Sequence, residues 1–262
     1  MKNIAKVLAI FTVLCTAFVA LVGCANLFPK VHPSVAGVPD RLTAEEEKIV
    51  RFADGDLNKM HISDGYANGK PFNCFWSASC VQLKEQRLLM SVTEGVNYSW
   101  GRKYEYVGAE CRTREYYSYG FYSVSMKAAK CSGVISSFFT YTNNGGWDEI
   151  DIEFLGKDTT HIQVNYYTKG VGGHEYWYEL GFDGADDFHE YAFLWLPDSI
   201  TWYVDGKPIY RATDSIPTLS TQIMMNVWNC EGNDEWSGKF APTSLPATAE
   251  YKWIGFSAAQ AA

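Results

Sequence analysis

Polar and apolar residues alternate along most of this chain, and the helical spacing of three to four is rare. Arg87 to Glu94, Gly120 to Met126, Val134 to Thr142, His161 to Thr168 and Tyr191 to Leu196 are rich in β-branched and aromatic residues. Such runs, bounded by Gly, Asn and Asp, predict strands. Thr201-Trp202-Tyr203-Val204 followed by Asp205-Gly206-Lys207 predicts a hairpin with a tight turn. Many short strands, without an internal repeat or a second hydrophobic cluster, predict one all-β domain over residues 61–262, a sandwich or jelly roll. Before it, Pro29, Pro33 and Pro39 mark residues 24–60 as a tether, and Thr43-Ala44-Glu45-Glu46 predicts a capping box opening a short helix through Phe52.

The N-terminus has a different pattern. Lys2 and Lys6 precede an apolar run of 16 residues, Val7 to Val22, too short for a stable membrane-spanning helix. It ends in Leu21-Val22-Gly23-Cys24, which is similar to a bacterial lipobox. Residues 1–23 are therefore expected to be an export signal, with Cys24 lipidated and the protein held at the cell surface. Ordinary cleavage without lipid, giving an extracellular protein, is the alternative.

The alternation is sharpest at Trp147-Asp148-Glu149-Ile150-Asp151-Ile152-Glu153-Phe154. As a strand, this places Trp147, Glu149, Asp151 and Glu153 on one face and Ile150, Ile152 and Phe154 on the other. Three carboxylates then share a face with no Lys or Arg between them, a local conflict that folds tolerate mainly for function. Glu149 and Glu153 have Cα atoms about 13 Å apart, and side chains leaning together bring the carboxyls to roughly 6 Å. Retaining glycosidases use about 5–5.5 Å and inverting ones about 6.5–9.5 Å, so the spacing leans toward retention. Asp151, lying between the two, would push their acidities apart.

Composition narrows the partners. The net charge of −8 argues against nucleic acid and anionic membrane surfaces, leaving a lipid anchor as the expected membrane contact. Aromatic residues make up 16% of the chain, which suits both a β core and a sugar-stacking surface. Of the seven cysteines, Cys74, Cys80, Cys111, Cys131 and Cys230 belong to the domain, an odd number, and no spacing suggests a metal site.

The segment Trp147 to Thr160 resembles the active-site segment of the bacterial lichenases, the endo-β-1,3-1,4-glucanases of glycoside hydrolase family 16. The resemblance runs from about Gly65 to the C-terminus. It includes Asp64-Gly65-Tyr66-Ala67-Asn68-Gly69, Phe72-Asn73-Cys74, Met126-Lys127-Ala128-Ala129-Lys130, Ser136 to Thr142, Asn165-Tyr166-Tyr167-Thr168 and Met224-Met225-Asn226-Val227-Trp228. It implies a β-jelly roll with a cleft across its concave sheet, and a monomer needing no cofactor. It also implies retaining cleavage of β-1,4 bonds next to β-1,3 bonds in mixed-linkage β-glucan. Glu149 would be the nucleophile, Glu153 the acid/base and Asp151 the assisting carboxylate. Tyr66, Asn68, Phe72, Glu110, Arg112, Tyr141, Trp147, Asn165, Tyr167, Glu175, Asn226, Trp228 and Trp236 would contact the sugar.

Four features depart from the family pattern. Gly108 stands where many members carry the disulfide partner of Cys74, and Cys111 is offset by three residues, onto the other strand face. Lys252 fills the slot of an acidic calcium ligand, so structural calcium is not expected. The loop Asn143-Asn144-Gly145-Gly146 is short, and Cys131 and Cys230 have no assigned role. A xyloglucan transglycosylase shares the acid motif, a laminarinase usually has an extra residue before the second Glu, and a lectin-like binder would gain nothing from three repelling carboxylates.

Overall fold

The computed structural model describes residues 32–41, 48–55, 57–143 and 145–259, so the export signal, Cys24 and the capping box lie outside the described residues. Among the described residues the strands are β1 (Lys48–Arg51), β2 (Met60–Ile62), β3 (Phe75–Trp76), β4 (Val81–Lys84), β5 (Arg87–Ser99), β6 (Arg102–Thr113), β7 (Gly120–Lys127) and β8 (Val134–Tyr141). They continue as β9 (Glu149–Leu155), β10 (His161–Tyr167), β11 (Tyr176–Glu179), β12 (His189–Leu196), β13 (Ser199–Val204), β14 (Lys207–Ala212), β15 (Gln222–Asn229) and β16 (Ala247–Ala258). A four-residue helix, α1 (Asp234–Ser237), follows β15.

Hydrogen bonding orders the strands β11-β10-β9-β8-β15-β6-β5-β16-β7-β12-β13-β14. This ribbon folds back on itself, with β5 and β6 at the turn. One layer runs from β6 to β11, the other from β5 to β14, and their inner faces share one apolar core. The expected jelly-roll sandwich is thus the observed architecture. Period two explains the layering: Ile150, Ile152 and Phe154 of β9 are fully buried, as are Val164, Phe193, Trp195 and Trp202. The three β9 side chains together contribute about 5–9 kcal/mol of burial, which offsets the cost of holding acids on the opposite face. Two inner-face hydrogen bonds also tie the layers together: Trp202 Nε1 donates to the Asp151 carbonyl at 3.2 Å and Tyr251 OH to the Ser137 carbonyl at 3.1 Å.

The β13–β14 hairpin turns at Asp205 (φ 47°) and Gly206 (φ 76°). Both residues are left-handed, as an Asp-Gly tight turn requires. The N-terminal segment departs from the helix expected there. Lys48–Arg51 is a strand paired with β16, not helix, and Phe52–Asp54 forms one 3-10 turn. Pairing of β5 with β16 ends at Tyr251, which leaves Trp253 to Gly255 a free ladder for Lys48–Arg51, and alternation buries Val50 and Phe52, which outweighs the local helical signal. The chain is already packed well before residue 61. Ser34 Oγ accepts from Arg211 N at 3.0 Å, Arg41 N donates to the Gly206 carbonyl at 2.7 Å, and the Arg41 guanidinium lies 4.0 Å from the Phe121 ring centre.

All five domain cysteines are free and buried. Desolvation raises the pKa of the Cys74 and Cys111 thiols. A Cβ added at Gly108 would lie 3.2 Å from Cys74 Cβ and 2.7 Å from its Sγ, a separation near that of a disulfide. Gly108→Cys is expected to form a bridge with Cys74. The loop it closes is long enough to contribute up to about 4 kcal/mol, reduced by crowding against the Val227 carbonyl. A rise in Tm that a reductant reverses, with two fewer titratable thiols than the reduced variant, would confirm the bridge.

Candidate active site

Strand register arranges the concave face as a grid. β9 lies between β8 and β10, so Glu153 pairs with Ser137 and Gln163, Asp151 with Phe139 and Asn165, and Glu149 with Tyr141 and Tyr167. β15 continues the first two rows with Asn226 and Met224, and β6 ends them with Glu110 and Arg112. Every second residue of each strand therefore faces the same cleft of about 510 Å3. Its lining contains Tyr66, Asn68, Phe72, Glu110, Arg112, Tyr141, Trp147, Glu149, Asp151, Glu153, Asn226 and Trp228, all expected from sequence.

Four expected residues flank this cleft. Tyr167 stacks on Trp147 with ring centres 5.2 Å apart, and Trp236 packs against Trp228 at 6.2 Å. Asn165 sits beside Asp151, with its Oδ1 buried and without a hydrogen-bond partner among the described residues. Glu175 precedes β11, is exposed, and lies close enough to the acids for its charge to act on Asp151 and Glu153.

Ser137, Phe139, Asn143 and Met224 also line the cleft and were not singled out from sequence, nor were Gln163, Ser63 and Asp148, which support lining residues from beside it. Gln163 donates to Glu153 Oε2 at 3.3 Å and accepts from Trp236 Nε1 at 2.7 Å. Its place two residues before Asn165 was the available signal. Ser63 donates to Glu110 Oε1 at 2.7 Å, while Tyr66 OH reaches both groups. Asp148, fully buried, braces the loops around Trp147. Its carboxylate accepts from the backbone N–H of Lys169 at 2.8 Å, Thr218 at 2.7 Å and Leu219 at 2.9 Å. These contacts join loops far apart in sequence, so no local pattern announces them.

The acids differ in their surroundings. Trp147 Nε1 donates to Glu149 Oε2 at 2.6 Å, and Asp151 shares a second hydrogen bond with Glu149. Desolvation raises Glu149 to about 7, and these two bonds oppose the rise by favouring its anion. Glu153 is raised to about 8, first by desolvation and then by the charges of Glu149 and Glu175. Asp151 is driven well above the ordinary range by burial and by both neighbours. A neutral Asp151 then donates to an ionised Glu149, while Glu153 is the next group to hold a proton. Two carboxyl groups on the floor of one cleft, one with hydrogen bonds that favour its anion and the other raised by neighbouring charge, are the parts of a glycosidase.

Comparison with known proteins agrees with this chemistry. The profile described as glycosyl hydrolases family 16 matches residues 68–255. The chain belongs to glycosyl hydrolase family 16. Among curated relatives, a protein named beta-glucanase from Acetivibrio thermocellus is 46% identical over 211 residues, 79% of this chain and 61% of that protein. Another beta-glucanase, from Bacillus subtilis, is 48% identical over 200 residues, 74% of this chain and 79% of that one. This chain thus spans less than two thirds of the first relative and more of the second. Among solved structures, a β-1,3-1,4-glucanase (lichenase) from a mouse hindgut metagenome superposes with a TM-score of 0.76 at 46% identity, covering 80% of this chain and 98% of that one. A Bacillus licheniformis beta-glucanase superposes at 0.72 and 45% identity, covering 78% and 94%.

The raised pKa values of Glu149 and Glu153 make folding stability depend on pH. Both glutamates hold protons more tightly folded than unfolded, so their contribution is complete below the ordinary value of 4.5 and is lost as pH rises through about 7 to 8. Glu153→Gln is therefore expected to melt above the wild type at pH 8, with the difference closing toward pH 4.5. Thermal melts across this range test it; a pH-independent difference contradicts it.

Proposed function

We propose that this chain is an endo-β-1,3-1,4-glucanase that cleaves β-1,4 bonds adjacent to β-1,3 bonds in mixed-linkage β-glucan, with retention of configuration. The observation that carries this reading is the row of three acids on β9, Asp151 buried and Glu149 and Glu153 half-buried, on the floor of one cleft; the similarity to proteins named beta-glucanase and lichenase supports it. Glu149, held by Trp147 and Asp151, attacks the anomeric carbon, and the C–O bond to the leaving sugar breaks. Glu153 gives its proton to the departing oxygen, leaving a glycosyl ester on Glu149. Glu153, now ionised, takes a proton from water, which displaces Glu149 and restores both acids. Asp151 keeps its proton next to Glu149 and limits repulsion along the strand.

The walls suit a neutral polysaccharide. Phe72 and Trp228 lie 4.2 Å apart between ring centres and offer apolar faces, while Asn226, Glu110 and Arg112 offer groups for hydroxyls. Expected results are reducing ends released from barley β-glucan, with little from laminarin, xyloglucan or carboxymethylcellulose. Glu149→Gln and Glu153→Gln each abolish release, and azide rescues Glu149→Ala and Glu153→Ala with products of opposite configuration. Transfer to xyloglucan acceptors without hydrolysis would favour a transglycosylase, and binding without cleavage a lectin.

Calcium has no part in this reading. In the ligand slot, Lys252 sits at a register shift of β16, with its Nζ 4.1 Å from the Phe188 ring centre. Arg51 and Arg87 line the same cavity, Glu85 is paired with Arg87, and Glu250 with Arg87 and Lys127. A site with these cations, and with Glu85 and Glu250 engaged, does not suit a divalent ion. Tm is expected to be unchanged by EDTA or added calcium. We also place the mature protein at the cell surface through a lipid on Cys24, acting as a monomer. Intact-mass analysis of the membrane fraction tests this, and an unacylated Cys24 refutes it.

A further inference from the structure

The row that carries Glu153 does not stop at the cleft. In register across six strands it reads Glu110, Asn226, Ser137, Glu153, Gln163 and Trp177. Trp177 belongs to β11, the outermost strand of this layer. Its neighbours Tyr176 and Tyr178 pack against the core, so period two turns Trp177 to the concave side. Trp177 is 43% exposed, almost as open as Trp147 at 44%. Its cross-strand partner Gln163 is held between Glu153 and Trp236. A flat apolar face thus stands two strands beyond the proton donor, on a continuous floor.

We propose that Trp177 is a stacking platform for a pyranose ring on the leaving-group side of the scissile bond. The inference rests on the glucanase reading above and extends it to a residue outside the cleft. The side follows from the two-step chemistry. The glycosyl part stays bonded to Glu149 after the first step, which suits the enclosed cleft of Phe72, Trp228 and Tyr66. The departing chain has to leave before water enters, which suits the open edge at β11. Two inter-strand steps place Trp177 about 10 Å from Glu153 in backbone terms, past the ring next to the broken bond. A glucan chain crossing the strands would meet the cleft aromatics on one side of the acids and Trp177 on the other.

The test compares two substrates: polymeric mixed-linkage glucan, and a nitrophenyl glycoside of a mixed-linkage oligosaccharide, whose leaving group ends at the aryl ring. Trp177→Ala is expected to lose about five- to tenfold in kcat/KM on the polymer, the size of one stacked ring. Transfer to an added gluco-oligosaccharide should fall similarly, while the aryl glycoside changes less than about twofold. Trp177→Phe, which keeps a flat face, should retain most of the polymer activity. If Trp177→Ala lowers Tm, Trp177→Thr, a strand former without a ring, replaces it. Unchanged polymer kinetics, or equal loss on both substrates, overturns the assignment. A wild type inactive on both substrates would instead refute the glucanase reading itself.

Discussion

The register of β9 between β8 and β10 is the constraint on which the rest depends. Side chains of a strand change face at every residue, so a slip of one position would exchange Glu149, Asp151 and Glu153 for Ile150 and Ile152. Apolar residues would then face the cleft and carboxylates the core. The burial of Ile150, Ile152 and Phe154 prevents this, because the slipped state loses their apolar contacts and buries charge without partners. The same alternation on β6, β8, β10, β11 and β15 gives each row of the concave face its side chains. Site and core are two faces of one pattern.

Register also sets the electrostatics. Once three acids are aligned and partly withdrawn from water, they cannot all be ionised at neutral pH. Which of them keeps the proton depends on neighbours brought by other strands and loops. Trp147 and Asp151 favour the anion of Glu149, whereas Glu153 has Gln163 beside it and feels the charges of Glu149 and Glu175. The division of labour between two chemically identical side chains is thus a property of their surroundings. Asp148 has a supporting part, since its buried carboxylate ties three backbone N–H groups to the loop that carries Trp147.

Away from this face, two positions depart from the pattern that the family resemblance implies. Gly108 leaves Cys74 as a buried thiol, and Lys252 puts an ammonium over Phe188. The segment expected as a tether is partly strand and partly a strap over β14. These changes lie in the surrounding frame, where the sandwich has other contacts to lean on. The grid has less freedom, because each of its side chains is positioned by the pairing of a neighbouring strand.

Much of the fold was legible in the chain itself. Alternation identified the strand cores and the acid face of β9 with Trp147, Glu149, Asp151 and Glu153, turn composition identified the Asp205-Gly206 turn, and the family resemblance supplied the other cleft-lining residues, Tyr66, Asn68, Phe72, Glu110, Arg112, Tyr141, Asn226 and Trp228. Each of these is local information, carried by residues within one strand or its motif. The strand at Lys48–Arg51, the packing of Ser34 on Arg211, the brace at Asp148 and the pairing of Gln163 with Trp177 were not legible. Each depends on segments distant in sequence becoming neighbours. A sequence read alone determines which face a side chain takes, because that follows from period two. Only the tertiary structure decides what stands across from it, because pairing partners and desolvation exist once the sheet has closed.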